Sequence, residues 1–219
     1  MIQRLIIIIS VLLLYAGCFE ENITTVSDSI LINSSYSLPI GEVVYKINEY
    51  FEALDTVHLP MPDSVAYNDT IYPNVLHIVE KIDLKQFIFA SHGGSSDKIR
   101  SVTFRLIIQN SYPTEARAQI YFTYNQSVID SMFENGKEII PPASIDQNGI
   151  VVEPSITMKD IYASQAIVND IGYYTNIEIH GEVLTTRPDI RIVKFYPEYE
   201  LRIHIGTRIE IEYNFNDLY

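Results

Sequence analysis

The sequence predicts an antiparallel β-sandwich of the immunoglobulin or fibronectin type, with an N-terminal helix and one short inserted helix. From His77 onwards, apolar and polar residues alternate in many short segments, as they do in half-buried strands. Turn-forming residues separate these segments at intervals of about 8–12 residues, which is typical of sandwiches and barrels. Hydrophobic residues make up 47% of the 219 residues, so the chain can bury a sizeable core.

The N-terminal helix is predicted over Gly41–Leu54. Four apolar residues of this segment recur at steps of three and four residues and therefore share one helical face: Val44, Ile47, Phe51 and Leu54. Three prolines then interrupt the pattern and predict a loop: Pro60, Pro62 and Pro73.

Strands are predicted wherever the alternation is regular. Ile78–Ala90 is the first long segment, and the turn at His92–Ser96 follows it. Val102–Ile108 then leads through the turn Asn110–Pro113 into a return strand, Ala118–Phe122. Shorter strands are expected later in the chain: Val128–Phe133, a segment around Ile139, Ile177–Ile179 and Ile190–Phe195.

The inserted helix is expected after a capping box formed by Thr157 and Asp160. Four residues then lie on one helical stripe: Ile161, Ser164, Val168 and Ile171. Gly172 can adopt the left-handed conformation that ends a helix. At the C-terminal end, Leu201–Tyr213 keeps its alternation through Gly206 and Thr207, which fits either one long strand or a hairpin.

The N-terminus has the pattern of an export signal. One positive charge at Arg4 precedes the apolar run Leu5–Leu14, and small residues follow. The run is about 10 residues, whereas a membrane-spanning helix needs about 20. The pattern therefore predicts secretion and disfavours a transmembrane helix.

Ala16-Gly17-Cys18 resembles the lipobox of bacterial lipoproteins, and Cys18 is the single cysteine of the chain. The resemblance implies cleavage before Cys18, attachment of lipid to its thiol and amine, and a lipid-anchored place in the bacterial cell envelope. No Asp follows Cys18, and Glu20-Glu21 resembles an acidic surface-export signal, so the outer membrane is the expected site. The alternative is an ordinary signal peptide with a chance cysteine.

The expected organisation has four parts. It comprises a lipoprotein signal peptide (1–17), a flexible tether (18–37), a helix with a proline-containing loop (38–75) and the sandwich (76–219). Without the signal, 14 basic and 28 acidic residues remain, a net charge of −14. Such a charge repels phosphate backbones and anionic lipids, so nucleic acid is not expected as a partner and the lipid anchor must hold the protein at the membrane.

Part of the predicted sandwich, Val102–Tyr213, resembles the domain of LEA14-type and WHy-type desiccation proteins. The matching elements are the turn Asn110-Ser111-Tyr112-Pro113, the return strand Ala118–Tyr124, the link Ile140-Pro141-Pro142 and the strand Ile177–Val183. Those proteins usually have Asn-Pro in the turn, whereas Ser111 and Tyr112 intervene here. The resemblance implies a fibronectin-like sandwich with a non-enzymatic, protective or binding role, and it carries over no site residues.

No catalytic motif is found, and the chain is predicted not to be an enzyme. His92-Gly93-Gly94 is similar to an esterase oxyanion loop, but the G-x-S-x-G nucleophile elbow is missing from the sequence, so a turn is the better interpretation. Glu210 and Glu212 share a strand face, yet Lys194, Arg202 and Arg208 are candidate neighbours that would make them a surface network.

No metal or cofactor site is predicted, because the five histidines are scattered. One arrangement would change this. His180 and His204 fall on the polar phases of their strands and would lie near Glu178 and Glu182 if those strands paired. Solvated strand-face histidines are far more common than such sites.

Three functions are weighed, and the third of them is an unrecognised hydrolase, which would need a deep pocket holding converged acids. The first is a lipid-anchored, non-enzymatic protein that docks another envelope protein, for which exposed strand edges offer a surface. The second is a glycan-binding accessory lipoprotein, since tyrosine rings can stack on sugars. Its candidate residues are seven of the 16 tyrosines: Tyr67, Tyr72, Tyr112, Tyr124, Tyr173, Tyr174 and Tyr196.

The lipid-anchor hypothesis is tested by replacing its one attachment residue. Cys18→Ala removes the thiol that would carry diacylglycerol, so incorporation of labelled palmitate should be abolished. Metabolic labelling followed by immunoprecipitation measures this directly. Label retained in the Cys18→Ala protein would contradict the assignment.

Overall fold

The structure, a computed structural model, describes residues 31–47, 64–66, 75–84 and 98–214. Chain contacts divide the protein into a larger unit, Ser35–Ile211, and a smaller one formed by Met1–Ser34 and Glu212–Tyr219. The fold below is that of the larger unit, although its first and last strands extend a few residues beyond these limits.

The described residues form thirteen strands and one complete short helix, and Ile47 also has helical backbone conformation. Their bounds are β1 Leu31–Tyr45, β2 Val65–Ala66, β3 Val75–Asp83, β4 Ile99–Asn110, β5 Ala116–Tyr124, β6 Ser127–Ser131, β7 Glu138–Ile140, β8 Ser144–Ile145, β9 Val151–Glu153, β10 Ser155–Tyr162, α1 Gln165–Asp170, β11 Asn176–Leu184, β12 Ile192–Val193 and β13 Leu201–Asn214.

Two main sheets are built from these strands. The first has the order β1-β13-β4-β10, and the second has the order β3-β11-β5-β6, with β7 also pairing with β5. The neighbouring strands pair antiparallel in β10–β4, β13–β4, β11–β3, β11–β5, β5–β6 and β5–β7. Two small two-stranded sheets, β12-β2 and β8-β9, accompany them. The predicted antiparallel β-sandwich is therefore confirmed.

The core lies between the two main sheets. In β4, Val102, Phe104, Leu106 and Ile108 are at most 2% exposed, while the residues between them face outwards. The rings of Phe104 in β4 and Phe122 in β5 are 5.2 Å apart and join the two sheets directly. The period-two pattern read from the sequence thus marks the inner face correctly.

The N-terminal part differs from the predicted helix. Residues 41–45 belong to strand β1, and of the remaining predicted segment only 46 and 47 lie within the described residues. β1 also begins at Leu31, inside the segment expected to be a tether. Three of its apolar residues and one just after it enter the sandwich: Ile40, Tyr45 and Ile47 are at most 7% exposed, and Val43 packs against this core. β1 therefore replaces the start of the predicted helix as far as Tyr45, whereas Ile47 has helical backbone conformation. Phe51 and Leu54 lie outside the described residues, so the rest of this helix stays a prediction.

The inserted helix is present but shorter than its stripe suggested. Thr157 and Asp160 lie in β10, opposite Ile108 and Arg105 of β4, so the expected capping box is not formed. The helix α1 starts instead after Ser164, whose hydroxyl accepts a hydrogen bond from the Ile167 amide.

Several other predicted segments can be compared directly. Leu201–Tyr213 lies in one continuous strand, β13, rather than in a hairpin. The segment Ile78–Ala90 corresponds to β3 as far as Asp83, and its end lies outside the described residues. Ile190–Phe195 contains only the two-residue strand β12.

A buried corner after β4 joins three distant segments. The Asn110 amide donates to the carbonyls of Thr114 and Pro141 (both 2.9 Å), and its oxygen accepts from the Tyr112 amide. The Tyr112 hydroxyl in turn accepts from the Ile47 amide at 2.8 Å and donates to the Tyr45 carbonyl at 3.2 Å. The β4–β5 turn therefore holds both the end of β1 and the link that follows β7.

The Tyr112 hydroxyl should contribute measurably to stability. In Tyr112→Phe, the buried Ile47 amide and Tyr45 carbonyl lose this partner, which costs about 1–3 kcal/mol. Urea unfolding measures the change in the free energy of unfolding. The matched control is Tyr173→Phe, which removes a hydroxyl from a ring that is 66% exposed and should change stability by less than about 0.5 kcal/mol. Equal effects of the two substitutions would show that the corner contributes no special stability.

Candidate functional site

The outer face of the second sheet carries a charged cluster. Its members come from β3, β11 and the segment before β7: His77, Lys81, Lys137, Glu178, His180 and Glu182. Glu178 and Glu182 are only 8% and 9% exposed, although they point away from the core. Their burial follows from the register, because Glu178 lies opposite Lys81 and Glu182 lies opposite His77 across the β3–β11 pair.

Each glutamate of this cluster is surrounded by cations or histidine. Glu178 contacts the Lys81 ammonium at 2.7 Å and the His180 ring at 3.3 Å. Glu182 contacts the Lys137 ammonium and lies 3.2 Å from the His77 ring. The hydrogen bond from Lys81 is the main cause that holds the pKa of Glu178 below its usual value. Carboxylates that are paired with charged neighbours in this way help to attach β3 to its sheet. Their arrangement favours this structural role over a role in proton transfer.

The site that would require the strands of His180 and His204 to pair does not form. β11, which carries His180, and β13, which carries His204, belong to different main sheets. His204 lies instead 3.4 Å from Glu42, and His180 stays beside Glu178 and the ring of Tyr121. Within the described residues, no group of three or more His, Cys, Asp or Glu side chains is placed to hold a metal ion.

The remaining carboxylates of the sequence analysis belong to surface networks. Glu210 accepts a hydrogen bond from Ser101 at 2.9 Å and lies 3.4 Å from Arg208. Arg202 binds Glu200, two positions before it, and forms a cross-strand ion pair with Glu42 of β1. Cys18 and the His92-Gly93-Gly94 segment lie outside the described residues.

An open groove of about 490 Å³ lies beside the β8–β9 hairpin. Ile145, Ile190 and Ile192 form its apolar part, and Asp146 and Lys194 its charged part. The Asp146 carboxylate accepts the amides of Ile150 and Asn148, and the first of these bonds is the main cause that lowers its pKa. This acid is therefore engaged by its own turn, which favours a structural role.

The seven candidate tyrosines are not gathered on one surface. Tyr112 and Tyr174 are in the core, and Tyr196 is partly buried with its ring edge-on to Tyr199. Tyr124 and Tyr173 are well exposed, at 44% and 66%. Tyr67 and Tyr72 lie outside the described residues.

The Tyr174 hydroxyl donates to Asp130 at 2.6 Å, and its ring stacks on Phe122. Burial, followed by this acidic partner, raises the pKa of Tyr174. Tyr174 is therefore a packing residue that ties the segment after α1 to β6, and it is not a surface for stacking a sugar.

The first sheet has an exposed apolar edge at β10. β10 pairs with β4 on one side, and no described strand pairs with its other side. Ile156 and Met158 of this strand are 62% and 75% exposed and lie on the outer face, opposite Gln109 and Ile107. Single exposed apolar residues are ordinary, but two neighbours of one face on an unpaired edge form a candidate docking surface.

Comparisons with known proteins give only distant likeness. No protein-family profile matches the chain, and no curated protein matches it. Among solved structures, "a putative secreted protein from Parabacteroides distasonis ATCC 8503" is similar over 64% of this chain and 38% of its own, with 10% identity and a TM-score of 0.39. A structure of infectious bursal disease virus, Gx strain, is similar over 82% of this chain and 32% of its own (10% identity, TM-score 0.28).

The native virion of Kashmir bee virus at acidic pH is similar over 82% of this chain and 72% of its own, with 9% identity and a TM-score of 0.26. The chain thus spans about a third of the length of the first two of these structures. These values assign no family. Within the described residues, no helix has the length and apolar character to cross a membrane.

The depressed pKa of Glu178 has a consequence for stability at low pH. A carboxyl whose pKa in the folded protein lies below its value of about 4.3 in the unfolded chain stabilises the fold above that pH. This contribution is lost as the pH falls towards the pKa of the folded state. Glu178→Gln should therefore flatten the fall in the free energy of unfolding below about pH 5. Urea unfolding between neutral and acidic pH measures this. Glu134→Gln, an equal charge change at an exposed loop position, is the control. If the free energy of unfolding of Glu178→Gln falls at low pH as steeply as that of the unsubstituted protein, the predicted role of the Glu178–Lys81 pair is contradicted.

Proposed function

We propose that this protein is a lipid-anchored, non-catalytic component of the bacterial cell envelope, and that it docks another envelope protein along the free edge of β10. The observation that carries the proposal is that β10 has both an unpaired edge and two exposed apolar side chains, Ile156 and Met158. An incoming strand would gain main-chain hydrogen bonds from the edge and apolar contact from these two residues.

The charges of β10 support this choice of surface. Lys159 binds Glu138 of β7 at 2.5 Å, and Asp160 forms a two-pronged pair with Arg105 of β4, at 2.6 and 2.7 Å. Edge strands usually avoid association by presenting charged side chains. Both charges of β10 are already neutralised within the chain, so this protection is weak along its free side.

The other edges of the main sheets are less suited to strand addition. β1 contains Pro39, which lacks an amide hydrogen, and the exposed Glu42. β3 exposes His77, Glu80, Lys81 and Asp83. β6 has only five residues, and its register with β5 shifts between Phe122 and Thr123. Among the described edges, β10 therefore combines eight regularly paired residues with the fewest barriers to pairing.

The anchor part of the proposal rests on the sequence around Cys18. A short apolar run, small residues and the single cysteine together support export and lipidation at that position. The larger structural unit begins at Ser35, seventeen positions after Cys18, so a lipid there would keep the sandwich close to a membrane. The outer membrane is proposed because Glu20-Glu21, and no Asp, follow the cysteine.

Site-specific photo-crosslinking on intact cells tests the docking surface. A photoreactive amino acid in place of Met158 should capture one dominant envelope protein, identified by mass spectrometry. Adding Ile156→Lys should reduce that capture strongly, because it puts an unpaired charge on the edge. The matched control is Val79→Lys, which adds the same charge at a 54% exposed position on β3 and should leave capture unchanged.

Two results would contradict the docking proposal. One is that a photoreactive amino acid placed at position 79 captures proteins as strongly as one at position 158, which would indicate random collision with abundant neighbours. The other is capture from position 158 that survives Ile156→Lys. In either case the glycan-binding alternative would be examined by screening the purified protein against envelope polysaccharides.

A further inference from the structure

The point at which the chain enters the larger unit identifies one end of the sandwich. The hydroxyl of Ser35, the first residue of that unit, accepts a hydrogen bond from Arg208 at 2.9 Å. Arg208 lies opposite Thr103 near the start of β4, and Tyr162 at the end of β10 lies opposite the same Thr103. This end, defined by Ser35, Thr103, Tyr162 and Arg208, is called the tether end below.

The second sheet places a hairpin at the same end. β4 and β5 are joined by the Asn110 corner at the far end of the sandwich, so the end of β5 returns to the tether end. The ring contact between Phe104 and Phe122 fixes the two sheets at this level. The β5–β6 turn follows at once, and the Thr175 amide donates to Thr123, which brings the segment after α1 beside this turn.

Exposed tyrosines are concentrated at the tether end. Among the residues whose side chains are described, every tyrosine that is strongly exposed belongs to it: Tyr36 (48%), Tyr124 (44%), Tyr162 (80%) and Tyr173 (66%). Val128 and Ile129 of β6 add apolar surface there, at 52% and 47% exposed. Tyrosines placed elsewhere, such as Tyr112 and Tyr199, are buried.

We infer that the tether end rests on the bilayer surface, with these tyrosines at the level of the lipid headgroups. The inference rests on the proposed lipid anchor at Cys18. Cys18 lies seventeen positions before Ser35, so the chain between them spans at most about 60 Å and joins the larger unit at this end. Tyrosine suits that position because its ring is apolar and its hydroxyl remains hydrated.

The charges at this end define which lipid surface fits. Asp130, Asp170 and Glu210 lie on the segments that form it, together with Lys98, Arg100 and Arg208, so its local charges balance, while the whole chain carries a net charge of −13. Anionic headgroups would be repelled by the net charge of the chain and would find no excess of cations at this end. The occupant is therefore a zwitterionic lipid surface, contacted shallowly by aromatic and aliphatic side chains and without the basic patch that draws many proteins to acidic lipids.

The chain contains no tryptophan, so one substitution creates a unique fluorescent reporter. The lipidated full-length Tyr173→Trp protein is reconstituted into phosphatidylcholine vesicles, with and without brominated acyl chains. The expected result is a blue-shifted emission that brominated lipid quenches, and a smaller shift in vesicles rich in anionic lipid. Ile192→Trp is the matched control, because Ile192 is 50% exposed and lies by the groove near the far end. Its emission should not respond to lipid.

A second substitution shows whether the surface itself makes the contact. Ile129→Asp in the Tyr173→Trp background should reduce the quenching while the protein still floats with the vesicles. Equal quenching at positions 173 and 192, or none at position 173 in protein that floats, would overturn the inference and leave the anchor intact. A protein that does not float at all would instead refute the lipid anchor. If the emission from position 173 does not change with lipid but changes with added oligosaccharide, the inference is overturned and this end is assigned to glycan binding.

Discussion

The hydrogen-bonded corner at Asn110 and Tyr112 is the constraint on which the arrangement of the sandwich depends. Both residues are at most 1% exposed, so their polar groups must find partners within the protein. Asn110 binds the main chain on either side of the β4–β5 turn and at Pro141, and Tyr112 binds the main chain at the end of β1. A single turn thus sets the position of a strand that lies some 65 residues earlier in the sequence. The tilted contact between the Tyr112 and Phe195 rings extends this link to the segment before β13.

This constraint also separates the two ends of the molecule. Polar main-chain groups converge on buried side chains at the far end, where Ala143 additionally bonds to the Tyr112 carbonyl and Ser111 to Glu200. The tether end is closed differently, by α1 and by the ring stack of Tyr174 on Phe122. Apolar and aromatic groups contribute to the closure of that end, and part of their surface stays in contact with solvent. The exposed tyrosines are thus a local property of one end and do not follow from the high tyrosine content of the chain alone.

The sequence predicted the sandwich well where one face of a strand is buried, and less well elsewhere. β4, β5 and β11 alternate regularly because each is a central strand with a buried inner face. The start of the predicted N-terminal helix, 41–45, is instead the end of β1, because single-sequence periodicity cannot show that β13 will pair with this segment. β10 was partly assigned to the inserted helix for the same reason, since an edge strand with exposed Ile156 and Met158 lacks the usual pattern. The cluster around Glu178 and Glu182 could be expected only in part, because its lysines come from other segments and the cross-strand register decides which of them meet.

The two proposed surfaces impose a common geometry. β10 starts near the Asn110 corner, with Ser155 opposite Asn110, and ends at the tether end, with Tyr162 opposite Thr103. If the tether end lies on the bilayer, β10 leads away from the membrane towards the far end, and a strand added to it must run along that same direction. A partner whose free segment lies flat on the membrane could then reach only the part near Tyr162, whereas one that projects from the membrane could cover Ile156 and Met158 as well. On these two proposals, the partner is expected to have a projecting, extended segment, because only such a segment matches both the length of the edge and the position of its apolar residues.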